Sequence, residues 1–131
     1  MAFALGRLGQ VAIAVADADR AEAFYGGVLG LRRLYRFGTL VVFDMQGVRL
    51  MIEQSADAAA IGRASVLYFA CADIALAVRE LAGRGAVFSD APHLIARMED
   101  HDLWMCFLAD PDGHMIGLMQ EAPKGYVPPT P

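Results

Sequence analysis

The stretch CFLADPDGHMIGLMQ, residues 106–120, decides how this chain reads, because LVVFDMQGVRLMIEQ, residues 40–54, is a fainter version of it. Laid together without a gap, the two place Asp44 on Asp110, Gly47 on Gly113 and Gln54 on Gln120, with apolar residues matching in between. Each reads as strand, tight turn, strand. In the second copy Asp-Pro-Asp-Gly is turn chemistry. Pro111 fixes φ, Asp110 and Asp112 accept from nearby amides, and Gly113 takes a backbone shape that other residues resist. The turn accounts for both aspartates without a catalytic role, and His114, directly after it, reads as a turn residue too.

Upstream of each hairpin the order repeats. QVAIAVAD, residues 10–17, is short, apolar and β-branched at Val11, Ile13 and Val15, which predicts a strand ending at Asp17. Asp17 or Asp19 can cap the following helix, and Glu22 stands at capping-box distance from Asp19. Ala21, Phe24, Tyr25, Val28 and Leu29 then recur with the spacing of one buried helical stripe, which Gly26, Gly27 and Gly30 weaken or end. RRLYRFG, TLVVFDMQ and VRLMIEQ complete a βαβββ unit.

The second unit opens with VLYFACAD, a strand ending at Asp73, and a helix IALAVRELAGRG with Ile74, Val78, Leu81 and Ala82 on one face. AVFSD, PHLIARM, DLWMCFLAD and HMIGLMQE follow as strand-like runs. A shift of 56 lays Asp73 on Asp17 and Val66 on Gln10; the hairpins need a shift of 66, the extra residues falling around APHLIARMED. The predicted fold class is α+β. Two tandem βαβββ modules, about 8–56 and 64–121, form a curved, partly open β-sheet barrel with helices outside, a single domain over 1–121. Their shared concavity is the expected place for a ligand. The tail, 122–131, is proline-rich and predicted to be extended or mobile.

Composition narrows the function. Hydrophobic residues make up 56% of the chain and charged ones 20%, an apolar excess that suits an oligomer interface or a ligand cavity. A net charge of -4, with 11 basic residues scattered singly, argues against nucleic acid as a partner. MAFALGRLGQVAIAVAD has neither the basic start nor the longer apolar core of a signal peptide, and no run of 18 apolar residues exists, so a cytoplasmic protein without membrane attachment is expected. Cys71 and Cys106 sit inside apolar strand-like runs as reduced, buried thiols. No nucleophile triad and no phosphate-cradling glycine loop is visible.

VAIAVADADRAEAFYGGVLGL and FLADPDGHMIGLMQ, in this order on a repeated frame, resemble the vicinal oxygen chelate superfamily, which holds glyoxalase I, extradiol dioxygenases, methylmalonyl-CoA epimerase, fosfomycin-resistance enzymes and bleomycin-resistance proteins. The resemblance spans residues 8–121 and implies the paired-module fold. It also implies where metal-dependent relatives keep their ligands: at Gln10 and Met51 in the first unit and at Val66 and Gly117 in the second. A hard divalent cation wants oxygen and imidazole donors. Gln10 offers one amide and Met51 a soft thioether, while Val66 and Gly117 offer no side-chain donor, so no metal and no cofactor are expected. Glu53, two residues past Met51 on the same strand face, is the one rescue: it and Gln10 are expected either to meet or to leave Glu53 solvated.

The hairpin PHLIARMEDHDLWMCF is similar to a pattern in superfamily members without metal ligands, which singles out His93, His101 and Trp104. A turn over Met98–Asp102 would put His93, Ile95 and Arg97 on one face, and Trp104 with Cys106 on a face of the next strand. Trp104 is a packing residue or a ligand platform. Arg97 is a surface residue or a carboxylate clamp. His101 is an acid–base candidate or the solvated tip of the hairpin, held by its neighbouring carboxylates. The candidate ligand-binding residues are therefore Gln10, Met51, Glu53, His93, Arg97, His101, Trp104 and Gly117, with His93 and His101 the catalytic candidates. Three functions compete. The first is metal-free sequestration of an apolar or cationic small molecule by a homodimer, in the manner the resemblance to bleomycin-resistance proteins implies. The others are a metal-dependent lyase, epimerase or dioxygenase, and a metal-independent isomerase or hydrolase using His93 or His101.

Overall fold

The computed structural model describes residues 3–62 and 64–129; Met1, Ala2, Arg63, Thr130 and Pro131, the last two ending the predicted tail, lie outside the described residues. Two compact units divide the chain between residues 61 and 62. Both have the order βαβββ, and the class is α+β.

The first unit runs β1 (Gln10–Val15), α1 (Ala18–Glu22) continuing as a π-helix (Ala23–Val28), β2 (Arg32–Phe37), β3 (Leu40–Met45) and β4 (Val48–Gln54). Its sheet order is β1-β4-β3-β2, with β1 parallel to β4 and the other pairs antiparallel. Asp17 is the cap, its Oδ1 accepting from the Arg20 amide at 3.1 Å. Glu22 completes no capping box; its carboxylate takes Arg33 and Arg36 instead. The helix does not end at Gly26 and Gly27 but widens, so that the Leu29 amide donates to the Phe24 carbonyl five residues back at 2.9 Å. Glycine makes such widening cheap by carrying no Cβ to pack. Phe24 and Tyr25 are buried beneath it, with Val15, Val41, Phe43, Leu50 and Ile52 filling the sheet side of the core.

The second unit runs β5 (Leu67–Ala70), α2 (Ile74–Gly83), β6 (His93–Arg97), β7 (Asp102–Ala109) and β8 (Met115–Ala122), in sheet order β5-β8-β7-β6 with β5 parallel to β8. Asp73 caps α2 from the position equivalent to Asp17, accepting from the Leu76 amide at 3.1 Å. The buried stripe of α2 is Ile74, Ala75, Val78 and Leu81; Ala82, predicted to share it, is exposed. AVFSD forms no strand. It touches β7 through the single bridge Phe88 to Leu108, and the Ser89 amide donates to the Phe107 carbonyl at 2.9 Å.

The repeated glutamine has a structural role in both units. Gln54 Oε1 accepts from the Ala18 amide at 2.9 Å, and Gln120 Oε1 accepts from the Ile74 amide at 3.0 Å. Each glutamine thus pins the end of its central strand to the first turn of its own helix, where amides have no intrahelical acceptor. Gln120→Ala should destabilise the second unit by about 1–3 kcal/mol, because it strands a buried donor. Gln54→Ala, at a part-buried bond, should cost less in the same urea titration. Equal or reversed losses would refute the staple.

The hairpin turns carry the predicted chemistry. Asp44 Oδ1 accepts from Gly47, and Asp110 Oδ1 accepts from Asp112 and His114. The tail's first residues are tied down. Asp102, buried at the start of β7, accepts from the Gly125 amide at 2.9 Å and from Lys124 Nζ at 3.2 Å. The Gly125 amide first, with Lys124 and Arg97 adding to it, holds the Asp102 carboxyl below its usual range.

Candidate functional site

One face of each sheet lies against the helix of its own unit, and the opposite, helix-free face carries no helix of that unit among the described residues. Strand alternation sorts the side chains between them. In the second unit the uninterrupted β7–β8 register puts Cys106, Leu108, Ile116, Leu118 and Gln120 on the helix face. The helix-free face carries Phe107, Met105 and Leu103 from β7, Gly117, Met119 and Glu121 from β8, and Tyr68 from β5.

A β-bulge splits the candidates of the inserted hairpin. His93 pairs with Met105 and Leu94 with Trp104, but Ala96 pairs with Leu103 and Arg97 with Asp102, leaving Ile95 as the extra residue. Met105 and Asp102 are three residues apart on a regular strand, so His93 and Arg97 fall on opposite faces, contrary to the expectation that they share one. His93 joins the helix-free face. Arg97 reaches Asp102 at 3.5 Å, beside the tail anchor. Trp104 lies on the helix face opposite Gln120, with its Nε1 buried and without a hydrogen-bond partner among the described residues. His101 sits in the turn, its Nδ1 2.7 Å from Asp100 Oδ1 and its Nε2 3.9 Å from Glu121 Oε1, so it borders the helix-free face. The His101 side chain, hydrogen-bonded to Asp100, lowers that carboxyl's pKa.

At the centre of the helix-free face is Gly117. A Cβ built there would lie 2.6 Å from Tyr68 Cδ1 and 3.2 Å from Phe107 Cε1. The missing side chain lets two rings close over the strand, edge to face, with centroids 5.9 Å apart. The His93 ring continues the strip 6.4 Å from Phe107. Asp90 fixes that imidazole. Its Oδ1 accepts from the Phe107 amide at 2.8 Å, and its Oδ2 stands 3.2 Å from His93 Nδ1, which is also 3.1 Å from the Ala91 carbonyl. With Nδ1 held between two acceptors, Nε2 remains for a ligand. Both thiols belong to this unit and are free. Burial pushes Cys106 up to about 12 and raises Cys71 as well, so neither is a ready nucleophile.

In the first unit, Gln10, Met51 and Glu53 share the helix-free face, as alternation predicts. Gln10 Nε2 approaches Met51 Sδ at 3.7 Å, so the two positions where the resemblance places metal ligands do adjoin. Glu53 does not join them. Gln10 stands level with Arg49 and Glu53 with Ala14, four residues or about 13 Å along the strands. An amide and a thioether here, and a glycine roofed by an aromatic ring in the second unit, do not fit a hard divalent cation. Among the described residues no three His, Cys, Asp or Glu side chains gather closely enough to hold one.

The residues that sequence reasoning missed are Tyr68, Phe107, Met105, Met119 and Asp90. Counting outward from the Asp110–Gly113 turn pairs Phe107 with Gly117, and that count was the available signal.

The chain matches the Glyoxalase/Bleomycin resistance protein/Dioxygenase superfamily over residues 7–118. It belongs to that superfamily. Solved structures agree in fold. An integron cassette protein from the mobile metagenome of V. cholerae superposes with a TM-score of 0.73 at 15% identity, covering 93% of this chain and 100% of that one. A glyoxalase/bleomycin resistance protein/dioxygenase from Alicyclobacillus acidocaldarius gives 0.72 at 19%, covering 88% and 91%. A lactoylglutathione lyase from Agrobacterium tumefaciens gives 0.71 at 18%, covering 89% and 95%. No curated protein matches the sequence. Among the described residues no helix is long and apolar enough to cross a membrane.

Proposed function

We propose that this protein binds an apolar or cationic small molecule without a metal, through the helix-free faces of its sheets. The observation that carries the reading is Tyr68 lying over Gly117: an aromatic platform stands where metal-dependent relatives are expected to supply a carboxylate. Tyr68, Phe107, Met105 and Met119 offer π-faces and polarisable sulfur, which suit an organic cation with an apolar body. Glu121 and Asp90 add negative charge at the edges of the same face. Cytoplasmic residence and a homodimer belong to the same proposal, the first supported by two free thiols and the second by exposed Tyr35, Phe37, Tyr68 and Met115; sedimentation velocity tests the dimer.

The test is thermal denaturation with benzyltrimethylammonium as probe. Saturating probe should raise Tm by a few degrees, and Tyr68→Ala, at a side chain 49% exposed, should remove the rise while leaving the unliganded protein folded. EDTA-treated protein should gain nothing from stoichiometric Mn, Fe, Ni or Zn. A several-degree gain with any of these metals, and none with the ammonium, overturns the reading.

The Asp90–His93 pair favours a second reading, metal-independent acid–base catalysis with Nε2 of His93 as the working atom. Under it, His93→Gln removes turnover of an identified substrate about 100-fold or more while probe binding persists. Turnover that survives in His93→Gln excludes this reading.

A further inference from the structure

We propose that the first unit contains a second ligand site, for a small organic carboxylate, on the helix side of its sheet. An open groove of about 390 Å³ lies there, lined by Glu22, Gly26, Gly27, Arg33, Arg36 and Phe43. It lies on the sheet face opposite Gln10 and Met51, so it owes nothing to the binding face proposed above.

Two irregularities build it. The first is the π-helix, a form that recurs at functional sites. It carries the backbone of Gly26 and Gly27 past the Phe43 ring, and a Cβ on Gly26 would come 3.2 Å from Phe43 Cε1, whereas one on Gly27 would meet nothing within 4 Å. The groove therefore presents glycine backbone, with the Phe43 ring fully buried beneath Gly26. The second is a bulge at Leu34. Arg33 pairs with Phe43 and Arg36 with Val41, two residues apart on β3, so both arginines reach the helix face.

The hydrogen-bond inventory gives the sign of the ligand. Arg36 is committed: Nε donates to the Gly38 carbonyl at 2.8 Å, Nη1 to Glu22 Oε1 at 2.7 Å, and Nη2 meets Asp19 Oδ1 at 2.7 Å. Both oxygens of Glu22 are occupied, the second by Arg33 Nη1 at 3.2 Å. Arg33 spends only that one donor and is 53% exposed, so its Nε and Nη2 have no partner among the described residues. Those unspent donors form the planar fork that accepts a carboxylate through two parallel bonds. A dianion such as phosphate would face Asp19 and Glu22 as well, which favours a single negative charge.

The experiment titrates amide resonances of the intact chain with phenylacetate and, separately, with neutral phenylacetamide. Phenylacetate should shift the amides of residues 23–28 and 33–36 saturably, and the amide analogue should bind at least about ten-fold more weakly. Arg33→Met should abolish the response, and Gly27→Leu, which fills the groove, should do the same with the rest of the spectrum unchanged. Tyr68→Ala should leave it intact, so that this site and the ammonium site fail independently. No saturable shift, equal affinity for both probes, or a response that survives Arg33→Met overturns the proposal.

Discussion

Phe43→Ala is expected to lower the stability of the first unit by about 3–5 kcal/mol in urea denaturation, the largest loss of any single change considered for this chain. Phe43 is fully buried and meets the Tyr25 ring at 6.4 Å, so truncation removes apolar burial and leaves a void under a helix that is already irregular. The π-helix resists collapse into that void, because its wide turn is held by the Leu29 to Phe24 bond rather than by side-chain packing at Gly26 and Gly27. Phe43→Leu, which keeps most of the volume, should lose less than half as much. A loss below about 1 kcal/mol for the alanine variant would mean that the site collapses freely and that the ring is no keystone.

Gly117→Glu is expected to give the second-largest effect. It writes in the carboxylate that the superfamily resemblance leads one to look for, yet the new Cβ would stand 2.6 Å from the Tyr68 ring and 3.2 Å from Phe107. Tyr68 is half exposed and can swing away, so the outcome is a displaced platform with a cost of about 1–3 kcal/mol rather than unfolding. Ammonium binding should disappear, and stoichiometric divalent metal should still give no thermal gain, since a single carboxylate does not make a site. Tyr68→Ala introduced alongside Gly117→Glu should recover most of the lost stability, a coupling that a double-mutant cycle reads directly. Additive losses in that cycle would show that the two residues do not share one space.

Local chemistry was legible in the sequence; long-range register was not. Asp17 and Asp73 announce their helices because a cap is decided within three residues. The Asp44 and Asp110 turns are equally local, and the pairing of Gln54 with Gln120 was visible as a repeat, although only the structure shows what the two amides hold. The bulges at Leu34 and Ile95 left no comparable trace, because a bulge is fixed by the partner strand and not by the bulged residues themselves. One such bulge separated His93 from Arg97, and the other brought Arg33 and Arg36 together. The cost of glycine in a helix predicts that Gly26 and Gly27 weaken or end α1, but the neighbouring Phe24 and Tyr25 bury well enough to carry the turn through them.

The glutamine staples bear on how such a chain can change over time. Gln54 and Gln120 bridge 36 and 46 residues, and neither reaches beyond its own half of the chain. Each staple therefore closes within its own half. A substitution confined to the strands or helix of one half therefore leaves the other half's glutamine bond with both its partners in place.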